Sequence, residues 1–173
     1  MRNMLAFLLV ASVVAVLPAY AQGGTNLASV KYVHPDAAGK LKILGNVAIA
    51  ISGNDRMVNR MMEWALAINL MNQGIKVVYP MTAKGMSPRF DDANDPVQFA
   101  RTLGASAVIT GMVLTEPPPE EKERTVLVSI AQLALSDIAY DKILLDVFYE
   151  PEKASPTLAI ARDFAQVLGE SLK

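Results

Sequence analysis

Between Asn46 and Leu114 the chain alternates strand patterns with helical ones, five segments in a row. Asn46–Ser52 (NVAIAIS) is apolar on both faces, with Val47, Ile49 and Ile51 alternating against Ala48 and Ala50. That pattern predicts a central strand covered on both sides, its small face letting a helix come close. Ser52-Gly53-Asn54-Asp55 supplies a turn, an N-cap candidate and an acid in the first helical turn, and Gly74 supplies the stop at the far end. Ile75–Pro80 (IKVVYP) reads as a second strand. Asp95-Pro96 is a cap and first-turn pair for a helix through Leu103, and Ala105–Leu114 (ASAVITGMVL) is a third strand. Strands separated by helices run parallel with right-handed crossovers, which leaves few topologies to consider.

Downstream the pattern changes. Thr125–Leu135 and Ile143–Tyr149 read as two strands with their turn inside Ser136–Lys142, an antiparallel hairpin. Ser155-Pro156 caps a last helix whose apolar face carries Leu158, Ala161, Phe164 or Ala165, Leu168 and Leu172. Upstream, Leu27–Val33 reads as an edge strand that ends at His34-Pro35, because the residue before proline is pushed away from helix. The fold class expected is therefore α/β. It has one mixed sheet of about five strands, two β-α-β crossovers followed by an antiparallel hairpin, and three main helices.

Met57, Met61, Trp64, Ile68 and Met71 recur every three or four residues along the first helix. This stripe is expected to cover the sheet, with Trp64 in the core and Asn59, Arg60, Glu63 and Asn72 facing water.

Residues 1–21 carry Arg2, an apolar run over Leu5–Leu17 and the small-x-small site Ala19-Tyr20-Ala21, the order of a cleavable export signal. The run is shorter than the roughly 20 residues a membrane span needs. Cleavage after Ala21 gives a 22–45 extension and a single 46–173 domain, exported to the periplasm. The mature part holds 15 basic and 17 acidic residues. That near balance lacks the electrostatic footprint of a nucleic-acid binder. With no cysteine in the chain, disulfides, thiolate metal ligation, thiol catalysis and a lipidated cysteine are all excluded.

Few residues invite chemistry. His34 is the sole histidine, and one imidazole without cysteine does not fill a zinc coordination set. Asp91, Asp92, Asn94 and Asp95 cluster as oxygen donors but lack the spacing of a calcium loop, and capping accounts for Asp95. Met57, Met61 and Met62 offer thioethers to cuprous copper, yet packing accounts for them better. No nucleophile elbow is present. We therefore expect no catalytic residue, no cofactor and no metal. Ser52, Gly53, Asn54 and Asp55 form a candidate ligand turn, since open α/β sheets bind ligands at the carboxyl ends of strands. The candidate partner-binding residues lie on two loops: Pro117, Pro118, Pro119, Glu120 and Glu121 in the charged Thr115–Arg124 connection, and Tyr140, Asp141 and Lys142 in the hairpin turn.

The stretches NVAIAIS, ALAINLMNQGIKVVYP, ARTLGASAVITGMVL and VSIAQLALSDIAYDKILL, in this order, resemble the periplasmic core of the CsgG-like family. That family holds curli secretion subunits and related envelope-assembly proteins and activators of penicillin-binding proteins. The resemblance runs over about Leu41–Lys173. It implies the family's fold and an envelope-assembly setting. The long membrane hairpins and the lipidated cysteine of the channel subunits have no counterpart here, so it implies no pore. The function expected is non-catalytic protein–protein binding in envelope or surface-structure assembly or secretion. The partners expected are another envelope protein, outer-membrane proteins included, and a second copy of the chain. Nucleic acid and a direct membrane span are not expected. The alternatives are a regulator docking on a peptidoglycan-synthesising enzyme and a small-ligand or sugar-binding periplasmic domain.

Overall fold

The computed structural model describes residues 27–40, 44–78, 95–116, 127–152 and 154–173. The export signal, the acidic Asp91–Asn94 cluster and the Pro117–Glu121 candidates lie outside the described residues.

Among the described residues seven strands form one mixed sheet: β1 (Val30–Val33), β2 (Asn46–Gly53), β3 (Lys76–Val78), β4 (Ala107–Glu116), β5 (Leu127–Asp137), β6 (Lys142–Tyr149) and β7 (Ser155–Pro156). The helices are α1 (Arg56–Asn72), α2 (Pro96–Thr102) and α3 (Thr157–Ser171). Strand order is β1-β6-β5-β4-β2-β3, with the two-residue β7 paired to β5. β2 pairs parallel with β3 and β4, and β4, β5 and β6 follow as antiparallel neighbours. The class and the three helices are those the sequence predicts. The sheet exceeds five strands because β1 joins as the edge strand and because Ser155-Pro156, expected only to cap, pairs with Val128 and Leu127. Pro156 stands at the N-cap of α3 and provides no side-chain cap, so the capping expected there is absent.

β2 shows why the alternation arises. Val47, Ile49 and Ile51 join Val58, Met62, Leu66 and Leu70 of α1 and Ile160, Phe164 and Leu168 of α3 in the main core. Ala48 and Ala50 face the other way, where Ala100 of α2 and Val108 of β4 pack on them in a smaller cluster. Small side chains on that face admit a short helix at close range.

The first helix corrects the expected register of burial. Met57, Met61, Trp64, Ile68 and Met71 are exposed, Trp64 by 62% and Met57 by 70%. Val58, Met62, Ala65, Leu66 and Leu70 lie in the core instead, together with Asn59 and Glu63. The helix is apolar on two opposite sides, and periodicity alone does not rank them. The choice is made by polar partners on the sheet. Asn59, with its amide oriented to satisfy both groups, accepts the Gly53 N–H and donates to the Asp55 carbonyl, each at 3.1 Å. Glu63 accepts from the Ile51 N–H at 3.3 Å. On α3 Leu158 likewise points outward, while Ala161, Phe164, Ala165, Leu168 and Leu172 are buried.

Candidate functional site

The turn after β2 sits between β2 and β4, where the parallel strand order reverses direction, the place at which open α/β sheets hold ligands. Here the chain itself uses the turn's side chains. Ser52 Oγ donates to the Gly111 carbonyl at 3.0 Å. Asn54 bridges to β4: its Nδ2 donates to the Thr115 carbonyl at 3.1 Å and its Oδ1 accepts the Thr115 N–H at 3.0 Å. Asp55 caps α1, its Oδ1 accepting from Met57 N at 2.8 Å and Val58 N at 3.2 Å. Gly53 runs so close to the Val113 carbonyl that no side chain fits.

Tyr140, Asp141 and Lys142 lie at the opposite end of the sheet, because the β5–β6 turn follows Asp137, which pairs with the first residue of β4. The turn is built around Asp137, whose Oδ1 accepts the Ala139 N–H at 3.0 Å, and Asp141 takes a left-handed φ of 52°. Tyr140 stands 68% exposed with the Lys40 ammonium 5.0 Å from its ring centre, and Lys40 is also paired with Asp137 at 3.3 Å. Lys142 reaches Asp36 at 3.1 Å. The ammonium holds the Asp36 carboxyl below its ordinary value, through that hydrogen bond first and its charge second. The two described candidate groups are thus far apart and form no shared site. His34 acts locally, its Nδ1 accepting the Asp36 N–H at 3.0 Å and capping the 3₁₀ turn Pro35–Ala37.

Three further features were not anticipated. A groove of about 310 Å³ crosses the sheet face opposite α1 and α3, between Pro96, Met112, Gln132, Ile143 and Asp146. A cleft of about 370 Å³ lies between Ser29 and Lys31 on one side and Asp163, Gln166 and Glu170 of α3 on the other. Next to it Tyr149 is fully buried near Asp163, its hydroxyl without a hydrogen bond of acceptable geometry. Burial, with the Asp163 charge second, pushes the phenol pKa far up, so the group stays neutral. Among the described residues no group of three His, Cys, Asp or Glu side chains is placed to hold a metal ion. No described helix is long and apolar enough to cross a membrane.

The most extensive unassigned feature is the outward stripe of α1. Its members stand at spacings of four, three, four and three, and at 100° per residue they fall within about 40° of a single line. Arg60 flanks it near the start, paired to Glu63 at 2.9 Å, while Ala65 and Ala67 beside its middle are buried in the core. The sequence displays this spacing openly. The opposite side of the helix also carries an apolar row, Val58, Met62, Leu66 and Leu70, and spacing alone does not rank the two.

No protein-family model matches the chain, and no curated protein matches it. Among solved structures it is similar to the PelC L103M dodecamer from Paraburkholderia phytofirmans, at 16% identity and a TM-score of 0.52, covering 83% of this chain and 96% of that one. A second PelC dodecamer structure from the same organism matches at 13% identity and a TM-score of 0.51, over 83% and 94% of the two chains. Lipoprotein GNA1162 from Neisseria meningitidis matches at 18% identity and a TM-score of 0.42, over 73% and 95%. The likeness to PelC is one of fold. It extends over nearly the whole of the PelC chain, and no CsgG-specific family emerges from it.

Proposed function

We propose that this chain is a non-catalytic, exported periplasmic domain that works by binding proteins, its own copies among them, in the assembly or secretion of envelope or surface structures. The observation that carries this reading is the solvent-facing row of Met57, Met61, Trp64, Ile68 and Met71. Contiguous apolar surface of this kind marks interaction sites far more often than chemistry. The fold likeness to PelC, which stands as a dodecamer, supports it. The order of Arg2, Leu5–Leu17 and Ala19-Tyr20-Ala21 supports export with cleavage after Ala21. Tyr140, Asp141 and Lys142, with Pro117–Glu121, remain the loops proposed to meet a different envelope protein. The Ser52–Asp55 turn is proposed as structural, because its side chains are engaged by β4 and α1.

Fractionation followed by crosslinking tests the reading. The full chain is produced with its leader, and a photo-crosslinking residue replaces Tyr140. A periplasmic product of the mass expected from Gln22, with a crosslinked envelope protein lost on Glu120→Lys and Glu121→Lys, supports it. A cytoplasmic product that retains residues 1–21 would overturn it, as would a chain whose only essential position is Asp55.

A further inference from the structure

The outer seam of α1 has the geometry of a helix-pairing surface. Spacings of four and three repeated twice are those of a two-heptad coiled-coil seam, in which large side chains of one helix seat between those of another. The seam is also close to symmetric about Trp64. Met57 and Met71 stand seven residues to either side of it, and Met61 and Ile68 stand three before and four after. A helix of the same sequence running antiparallel would bring Trp64 against its own counterpart, Met57 against Met71 and Met61 against Ile68. Each layer would then meet an apolar layer.

We propose that this seam is where a second copy of this chain docks, the two α1 helices packing antiparallel about a two-fold axis at Trp64. The proposal rests on the protein-binding reading above and names the surface that self-association would use.

The flanks favour a copy over a charged partner. Arg60, the charged flank nearest the centre, is neutralised within its own chain by Glu63. A contact along the seam therefore buries no unpaired Arg60 charge. The five side chains expose on the order of 500 Å², more than half of the roughly 800 Å² per partner of a standard interface. Self-complementarity is what an isologous contact demands, since the same patch must serve both sides. Methionine suits it, because a flexible thioether fills the gaps left around an indole.

Trp64 is the only tryptophan, so its emission reports on this seam alone, and the absence of cysteine makes single-cysteine probing unambiguous. The purified mature chain is followed by light scattering and by tryptophan emission over a dilution series. We expect a mass of two copies or a multiple of two, a red shift of emission on dilution, and monomers with red-shifted emission for Met61→Glu at unchanged circular dichroism. Trp64→Cys should form a disulfide-linked dimer on mild oxidation. The proposal is overturned by a monomer at every concentration, or by an oligomer that Met61→Glu leaves intact. It is equally overturned by Trp64→Cys that fails to crosslink to itself, or by a blue shift of Trp64 that appears only with lipid vesicles or only with another envelope protein. Because Met61 is remote from the hairpin turn, crosslinking through Tyr140 can persist in Met61→Glu, and the two readings fail separately.

Discussion

Glu63 on α1 accepts the Ile51 N–H of β2 at 3.3 Å, while its other oxygen accepts from Arg60 at 2.9 Å. Ile51 lies beyond Ala48, the last β2 residue paired to β3, so its amide needs an acceptor from outside the sheet. The carboxylate is therefore a structural bond between helix and sheet rather than a solvated charge. Glu63→Ala should cost about 1.5–3 kcal/mol, the range for a hydrogen bond to a charged group, with the half-exposed Arg60 adding little. Glu63→Gln, which keeps an acceptor, should lose less. Urea denaturation measures both, and a neutral Glu63→Ala would show that the bond does not form.

Trp64→Ala should change the stability of the isolated chain by no more than about 0.5 kcal/mol, because the indole faces water. Leu66→Ala, one helical step to the inside, should cost about 2–5 kcal/mol. Thermal melts of dilute samples would contradict the placement of α1 if the order of these two effects were reversed.

Gly53→Ala should be far more damaging than Gly74→Ala. A methyl at Gly53 collides with the Val113 backbone carbonyl and with Asn59, neither of which can retreat, and the cost should reach about 3 kcal/mol or more. Gly74 has a φ of +81° but open space around it, so alanine there should cost about 1–2 kcal/mol of backbone strain. Equal destabilisation by the two would refute the close approach of β2 to β4.

Asp36 should titrate below the ordinary carboxylate value of 3.8, because Lys142 favours its charged form. A depressed folded-state pKa contributes stability that is present above 3.8 and is lost as pH falls through the folded value. Carboxyl-carbon NMR should show the Asp36 midpoint rising toward 3.8 in Lys142→Met. An unchanged midpoint would mean that the ion pair is not formed in solution.

Much of the fold is legible because local rules and tertiary packing agree. Asp95 caps α2 through Val97 N and Gln98 N, Gly74 ends α1 in a left-handed conformation, and β2 alternates as a doubly covered strand should. The failures share one cause: a decision made by distant residues. Whether Met61 or Met62 faces the core depends on which side of α1 finds acceptors and donors on β2, and sequence spacing does not contain that. Leu144 and Leu145 are both buried because the β5–β6 register slips between Leu135 and Ser136, a bulge that pure alternation does not foresee. Of the candidate residues, Asp55 reads in the sequence as an acid of the first helical turn, whereas it stands one place earlier, as the N-cap itself. The partners of Asn54 and Lys142 were not legible, since Thr115 and Asp36 lie far along the chain.

The pairing of β1 with β6 joins Val30 to Phe148 and Val33 to Leu145, across all the elements between them. A polypeptide threaded N-terminus first through a translocation pore delivers β1 early and its partner strand almost last. Until β6 arrives, β1 has no neighbour in the sheet, and β5, which pairs with β4, β6 and β7, has only β4. Closure of the sheet thus waits until most of the chain has passed. The same delay leaves strand edges open to chaperones and to misassociation. Under the export reading, β1 stays unpaired for as long as β6 has yet to be delivered.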